Sequence, residues 1–287
     1  MSSTSPPRIL AAWWITVNDR SSPPPLLRRR RRWLWVVGSF AAFVAVLAAT
    51  FVNGVMSNGI PSTIFWRSRD LYQDPVMIRL ANAVAAEDVQ QVDALVAQGA
   101  DVNATGTRGL GLLMWAMAKN SPKGFARLLD HGADPLRPAL DAPANAKPGR
   151  KMPFIAEYAA QNKSTAYLQA LLDRGLDPNL NRANGTPLLF HAIESHAEWN
   201  VKVLLDAGAD ANRSSPDNVE TPLQVAVIIR QLEIALLLIK RGADPALKNR
   251  WGYSAIDVLT DPKQGYSADE RLLRDKLLAE LKRRGHL

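Results

Sequence analysis

The chain has no cysteine among its 287 residues. No disulfide framework, thiolate metal site or cysteine nucleophile can therefore form. Histidine is scarce too, at four residues: His131, His191, His196 and His286. No Gly-rich phosphate loop, nucleophile elbow or paired-histidine zinc motif occurs. These absences point to a non-catalytic protein that needs no cofactor and no metal. Charge is absent from one long run, the 24 residues Trp33 to Met56. Acid is nearly absent from what precedes it, where Asp19 faces Arg8, Arg20 and Arg28 to Arg32.

The uncharged run is long enough to cross a bilayer core of about 30 Å as a helix. It has no polar face, as a soluble helix of that length would, and Trp33 and Trp35 suit a membrane–water interface. The arginines before it place the N-terminus in the cytoplasm and everything after about residue 57 on the far side. The alternative is a cleaved signal peptide, but no strict Ala-x-Ala triplet follows the run, and the leader of 32 residues is long. Six of the chain's eight net positive charges lie before residue 60. The basicity is thus a topology signal, and no nucleic-acid partner is expected, since such a partner needs basic charge on the folded part. Residues 1–32 read as a disordered basic cytoplasmic tail, 33–56 as the transmembrane helix and 57–73 as a stem.

Behind the stem the sequence repeats. The anchors are Gly99-Ala100-Asp101, Gly132-Ala133-Asp134, Gly175-Leu176-Asp177, Gly208-Ala209-Asp210 and Gly242-Ala243-Asp244, with a degenerate Gly285. Most glycines are about 33 residues apart, and two intervals are longer by ten, as loop insertions would make them. A leucine-rich helical run precedes each glycine, which ends the helix in a left-handed cap. A second, shorter helix lies before each run. Two open with Thr-Pro, at Thr186-Pro187 and Thr221-Pro222, where threonine can cap and proline can start the first turn.

Turn, helix, turn, helix, Gly-Ala-Asp resembles the ankyrin-repeat family over residues 74–287, with an insertion at 136–153. The resemblance implies an all-α solenoid of about five to six repeats. The histidine of the family's Thr-Pro-Leu-His is replaced here at Met114, Glu157, Leu189, Gln224 and Asp257, so its side-chain hydrogen bonds must be replaced or absent. The first helix pair caps one end. At the other, Ser267 and Glu270 form a capping box, and the helix to about Arg283 carries Leu272, Leu273, Leu277, Leu278 and Leu281 on one face.

In such arrays the leucines are committed to the core, which leaves the finger-like turns free for recognition. The resemblance implies binding of another protein, whose identity the sequence does not reveal. The insertion carries Arg150 and Lys151 among four prolines, either as a basic arm or as a tolerated loop. The last finger holds Arg250, Trp251 and Tyr253. Trp251 either forms an interface hot spot or folds back onto the next repeat. Arg108, Arg182, Asn184, Asp217 and Glu220 are candidates by finger position. His191 and His196 stand about 140° apart on a helix and do not share a face as metal ligands; His191 is expected to be a hydrogen-bonded packing residue. The Asn-x-Ser/Thr triplets at Asn103, Asn162, Asn184 and Asn212 fall mostly in repeat-defined turns. Layout and composition resemble bacterial single-pass inner-membrane proteins with a periplasmic ankyrin domain. Two uses follow from that resemblance: immunity to a toxin such as a secreted phospholipase, or periplasmic envelope or oxidative-stress protection. A cytoplasmic-facing adaptor is the third alternative. Oligomeric state stays open.

Overall fold

The computed structural model describes residues 67–137, 153–182, 185–216, 219–262 and 264–287. They form thirteen α-helices. A short helix α1 (Ser68–Leu71) is followed by six antiparallel pairs. These are α2 (Pro75–Ala85) with α3 (Val89–Ala97), α4 (Leu112–Ala118) with α5 (Pro122–Asp130), and α6 (Ile155–Gln161) with α7 (Ala166–Leu172). The others are α8 (Leu188–Glu194) with α9 (Glu198–Asp206), α10 (Pro222–Ile228) with α11 (Leu232–Lys240), and α12 (Ala255–Thr260) with α13 (Ala268–Arg283). Pairs stack in chain order, so each repeat touches only its neighbours, as in a solenoid.

The anchor glycines end the second helices for the reason the sequence suggests. Gly99, Gly132, Gly175, Gly208, Gly242 and Gly285 all have φ between +78° and +95°, a region open to glycine without steric cost. The residue after each glycine donates its backbone N–H to the carbonyl of the leucine four residues before the glycine, as in Ala100 to Leu95 at 3.1 Å and Ala243 to Leu238 at 3.0 Å. Those leucines (Leu95, Leu128, Leu171, Leu204, Leu238 and Leu281) are all buried. Glycine spacing and core spacing are thus one periodicity. Gly124 has a different reason: a Cβ there would run into the Val84 carbonyl and the Ser121 hydroxyl.

Inside a pair, the first helix is stopped by a residue in left-handed conformation: Glu87, Asn120, His196 and Arg230 have φ of 53–63°. Each costs about 1–2 kcal/mol relative to glycine. Three of these side chains reach the next repeat. Glu87 accepts from Lys123 N at 3.0 Å, Asn120 accepts from the Tyr167 hydroxyl at 3.5 Å, and Arg230 donates to Gly265 O at 2.7 Å.

A second set of links runs along the fingers. Each anchor aspartate accepts from the backbone N–H two residues on, as Asp177 does from Asn179 at 2.8 Å. Where that residue is asparagine, its side chain bridges to the next anchor. Asn179 donates to Gly208 O at 3.2 Å and accepts from Asp210 N at 2.8 Å. Asn103 bridges in the same way to Gly132 and Asp134, and Asn212 to Gly242 and Asp244. Leu136 and Ala246 occupy the other two positions and cannot make this clamp.

Four sequence readings change. Residues 67–73, taken as the end of the stem, pack on the array: Leu71 and Tyr72 are buried, and the Tyr72 hydroxyl donates to Leu110 O at 3.1 Å. Helix α8 starts at Leu188 with Pro187 as its cap, so Thr186 does not cap it. The third residue of α8 is therefore Phe190, not Leu189, because the finger before it is one residue shorter than the next. Leu272 is 59% exposed, because the buried stripe of α13 runs through Leu277 and Leu281, flanked by Leu273 and Leu278. The Ser267–Glu270 capping box forms. No helix among the described residues is long and apolar enough to cross a membrane; the run 33–56 lies outside them.

Candidate protein-binding face

At the third position of the first helices, polar residues bond back to the helix start. Glu157 accepts from Phe154 N at 3.0 Å, Gln224 from Thr221 N at 2.8 Å and Asp257 from Ser254 N at 2.7 Å. Met114 and Phe190 are buried apolar residues and make no such bond. Gln224 goes further: its Nε2 donates to Leu247 O at 3.1 Å and to Tyr253 O at 2.7 Å. Helix α10 thereby braces both legs of the last finger, residues 244–254.

The tip of that finger is pinned as well. Asn249 N donates to Tyr253 O at 2.8 Å and Gly252 N to Asn249 O at 2.9 Å. The Asn249 side-chain oxygen accepts from the backbone N–H groups of Trp251 and Tyr253, each at 3.1 Å. Gly252 sits at φ +83°. On this fixed turn Trp251 is 39% exposed and Tyr253 43% exposed. The Arg250 guanidinium lies 4.5 Å from the Trp251 ring centroid, a cation–π stack. Trp251 therefore reaches the surface, partly covered by Arg250.

A charged network lies beside the finger. Arg182 donates to buried Glu157 at 3.3 Å and to Glu194 at 2.8 Å, and its own side chain is largely buried. It is spent inside the array and offers little to a partner. Glu220 is half-buried; burial raises its carboxyl pKa, the nearby Arg250 charge opposes the rise and Glu194 adds to it. Glu220 thus lies within Coulomb reach of both the Arg182–Glu194 pair and the Arg250–Trp251 stack.

Arg108 lies in a 3₁₀ turn, Thr107–Gly109, on the first finger. Its side chain, and Arg150, Lys151, Asn184 and Asp217, lie outside the described part. Arg137, at the root of the insertion, donates to Asn103 O at 2.6 Å. His191 is largely buried, with Nδ1 4.0 Å from the Glu194 carboxylate, beyond direct hydrogen-bond distance. His196 is the left-handed turn residue of its repeat. No group of three or more metal-binding side chains occurs among the described residues. Asn103 and Asn212 belong to the finger clamp, and Asn162 is buried.

Sequence reasoning missed Asn200. It is buried in α9 and donates through Nδ2 to Ala159 O, Ala160 O and Asn162 O at 3.1, 2.9 and 2.7 Å. It missed Trp199 too, which is 69% exposed on α9. Neither stands out in a sequence, because asparagine and tryptophan each occur in both settings.

Residues 156–249 match the family model for ankyrin repeats (three copies). The solenoid has the ankyrin-repeat fold. Protein PhlB of Serratia liquefaciens is 32% identical over 155 residues, which cover 54% of this chain and 63% of that protein. The ankyrin repeat and KH domain-containing protein mask-1 of Caenorhabditis elegans is 37% identical over 90 residues, 31% of this chain and 3% of that one. The chain thus spans less than two thirds of either relative. Among solved structures, the ankyrin repeat domain of Bcl-3 superposes with a TM-score of 0.55 at 22% identity, over 70% of this chain and 85% of that one. An ankyrin repeat domain from Acinetobacter baumannii gives 0.53 at 24%, over 70% and 96%. At these identities the likeness is one of fold. The ankyrin-repeat fold typically serves as a non-catalytic scaffold for protein interaction.

Proposed function

We propose that the chain is a membrane-anchored protein-binding module, tethered through residues 33–56 with its ankyrin array on the periplasmic side. The observation that carries the binding role is the last finger, where Arg250, Trp251 and Tyr253 stand exposed on a backbone fixed by Asn249 and Gln224. Tryptophan, tyrosine and arginine are the side chains that dominate interface energy. A turn already fixed in shape loses little entropy when a partner docks. The charge-free run and its five preceding arginines support the anchor and its orientation. The first partner class to try is the one the family resemblance suggests, a secreted phospholipase-type toxin held in check by its immunity protein.

The test is a crosslinked pull-down from membranes with a C-terminal tag, run beside an Arg250→Ala, Trp251→Ala double variant. One dominant protein, lost in the variant, is the expected result. Recovery of the same proteins from both forms would remove the finger from the interface. Orientation is read separately, by protease added outside the inner membrane: cleavage of the array is expected, and full protection would reverse the topology.

A further inference from the structure

Resting on the protein-binding reading above, we propose that the last finger recognises an acidic protein segment, an Asp or Glu beside a large apolar side chain. The guanidinium of Arg250 has its carbon 4.5 Å from the Trp251 ring centroid. Among the described residues it makes no hydrogen bond, so its N–H donors are available. An arginine held on an aromatic face keeps its planar fork oriented, and that fork matches a carboxylate through two parallel bonds. Lys248, also exposed, adds a second cation on the same turn.

Most of the acids around the finger are already engaged or partly covered. The Asp244 carboxylate accepts from Ala246 N at 2.9 Å. Asp257 has one oxygen taken up by Ser254 N and Oγ, both at 2.7 Å. Glu220 is half-buried and within Coulomb reach of Arg250. Asp244 and Glu220 are thus partly covered; Asp257, itself exposed, is held by Ser254 and its charge reaches Lys248, which leaves Arg250, stacked on Trp251, as the finger's main exposed cation. The indole of Trp251 and the ring of Tyr253, on the same turn, provide apolar area for the residue next to the carboxylate. A bilayer surface with anionic headgroups would also attract two cations and two aromatics. The pinned backbone favours a protein: Gln224 and Asn249 hold the turn in one shape, which serves a matching protein surface and gains nothing against a fluid bilayer.

The experiment uses the full chain in nanodiscs of neutral lipid. A random 12-residue peptide library is selected against it, and the most enriched peptide is measured by fluorescence anisotropy. Enriched peptides should carry Asp or Glu within two residues of a large apolar side chain. Arg250→Glu should weaken binding by about a hundredfold and Trp251→Ala by about tenfold. Arg250→Lys should fall between wild type and Arg250→Glu, because it keeps the charge and loses the fork. Exchanging the peptide's acid for its amide should reproduce the Arg250→Glu loss. Circular dichroism melts of all variants should match wild type, since these side chains are exposed.

Peptides without acid, or binding indifferent to Arg250→Glu, would overturn the acidic-segment assignment and leave the protein-binding role standing. Arg250-dependent binding to phosphatidylglycerol vesicles, with no peptide enriched, would overturn it in favour of a lipid surface. If no peptide is enriched, no vesicle binds and the membrane pull-down recovers no protein, this inference and the proposed function fail together.

Discussion

Replacing Asn200 with alanine should cost about 2–4 kcal/mol. Its Nδ2 faces three backbone carbonyls at the end of α6, and the residue is 1% exposed. An amide has two N–H groups, so about two full hydrogen bonds are shared among the three acceptors. Each buried acceptor left unpaired costs about 1–3 kcal/mol. One gain offsets part of this: Asn200 Oδ1 is buried without a partner, and removing it returns about 1 kcal/mol. For a domain of this size each kcal/mol lowers Tm by about 2–4 °C, which gives a drop of roughly 4–16 °C. Because repeats couple to their neighbours, hydrogen exchange should rise in α6 to α9 and stay low in α2 to α5. Urea melts and exchange measured by mass spectrometry read both effects. A loss below about 1 kcal/mol, or a uniform rise in exchange, would refute the role of Asn200 as the donor that closes α6. Asn200→Asp adds a sign test. Burial and three facing carbonyls would raise the new carboxyl's folded pKa above its unfolded value. The variant should then be least defective below about pH 4 and lose stability as pH rises toward the raised value.

The other predictions concern the surface. Arg250→Ala and Trp251→Ala should each change stability by less than about 0.5 kcal/mol in thermal melts, because both are exposed and away from the core. His196→Gly should stabilise the array by about 0.5–1 kcal/mol in the same melts, since it relieves a left-handed φ of 57°. Asp93 is held at about 2 by hydrogen bonds from Arg127 and then from His131, whose ring nitrogen lies 2.7 Å away. A depressed folded pKa gives stability that is present above the unfolded value of 3.8 and lost as pH falls toward 2. Acid melts of Asp93→Asn should therefore lose less stability across that interval than wild type.

Much of the fold was legible because one residue type marks it. Glycine at positive φ ends each second helix, and the leucine four residues earlier is the core residue that its cap encloses. A period in the sequence is thus a period in the backbone. The register of α8 was misread by one residue, because Thr-Pro marks a helix start only to within a residue, and finger length decides the rest. Histidine and arginine in left-handed turns were illegible, since their side chains carry no sign of the φ they adopt.

The candidate site was legible in type and illegible in use. Arg182 and Arg250 are both finger arginines in the sequence. Only packing separates them: two glutamates from neighbouring repeats take up Arg182, while Arg250 stacks on Trp251 and stays exposed. The sequence by itself determined the repeat, its glycine caps, the capping box of α13 and the buried leucines, because these rest on neighbours within about four positions along the chain. Tertiary structure alone decided the finger clamps, the Asn200 closure and which aromatic stands outside. Those depend on groups some 30 to 40 residues apart, brought together only when one repeat stacks on the next.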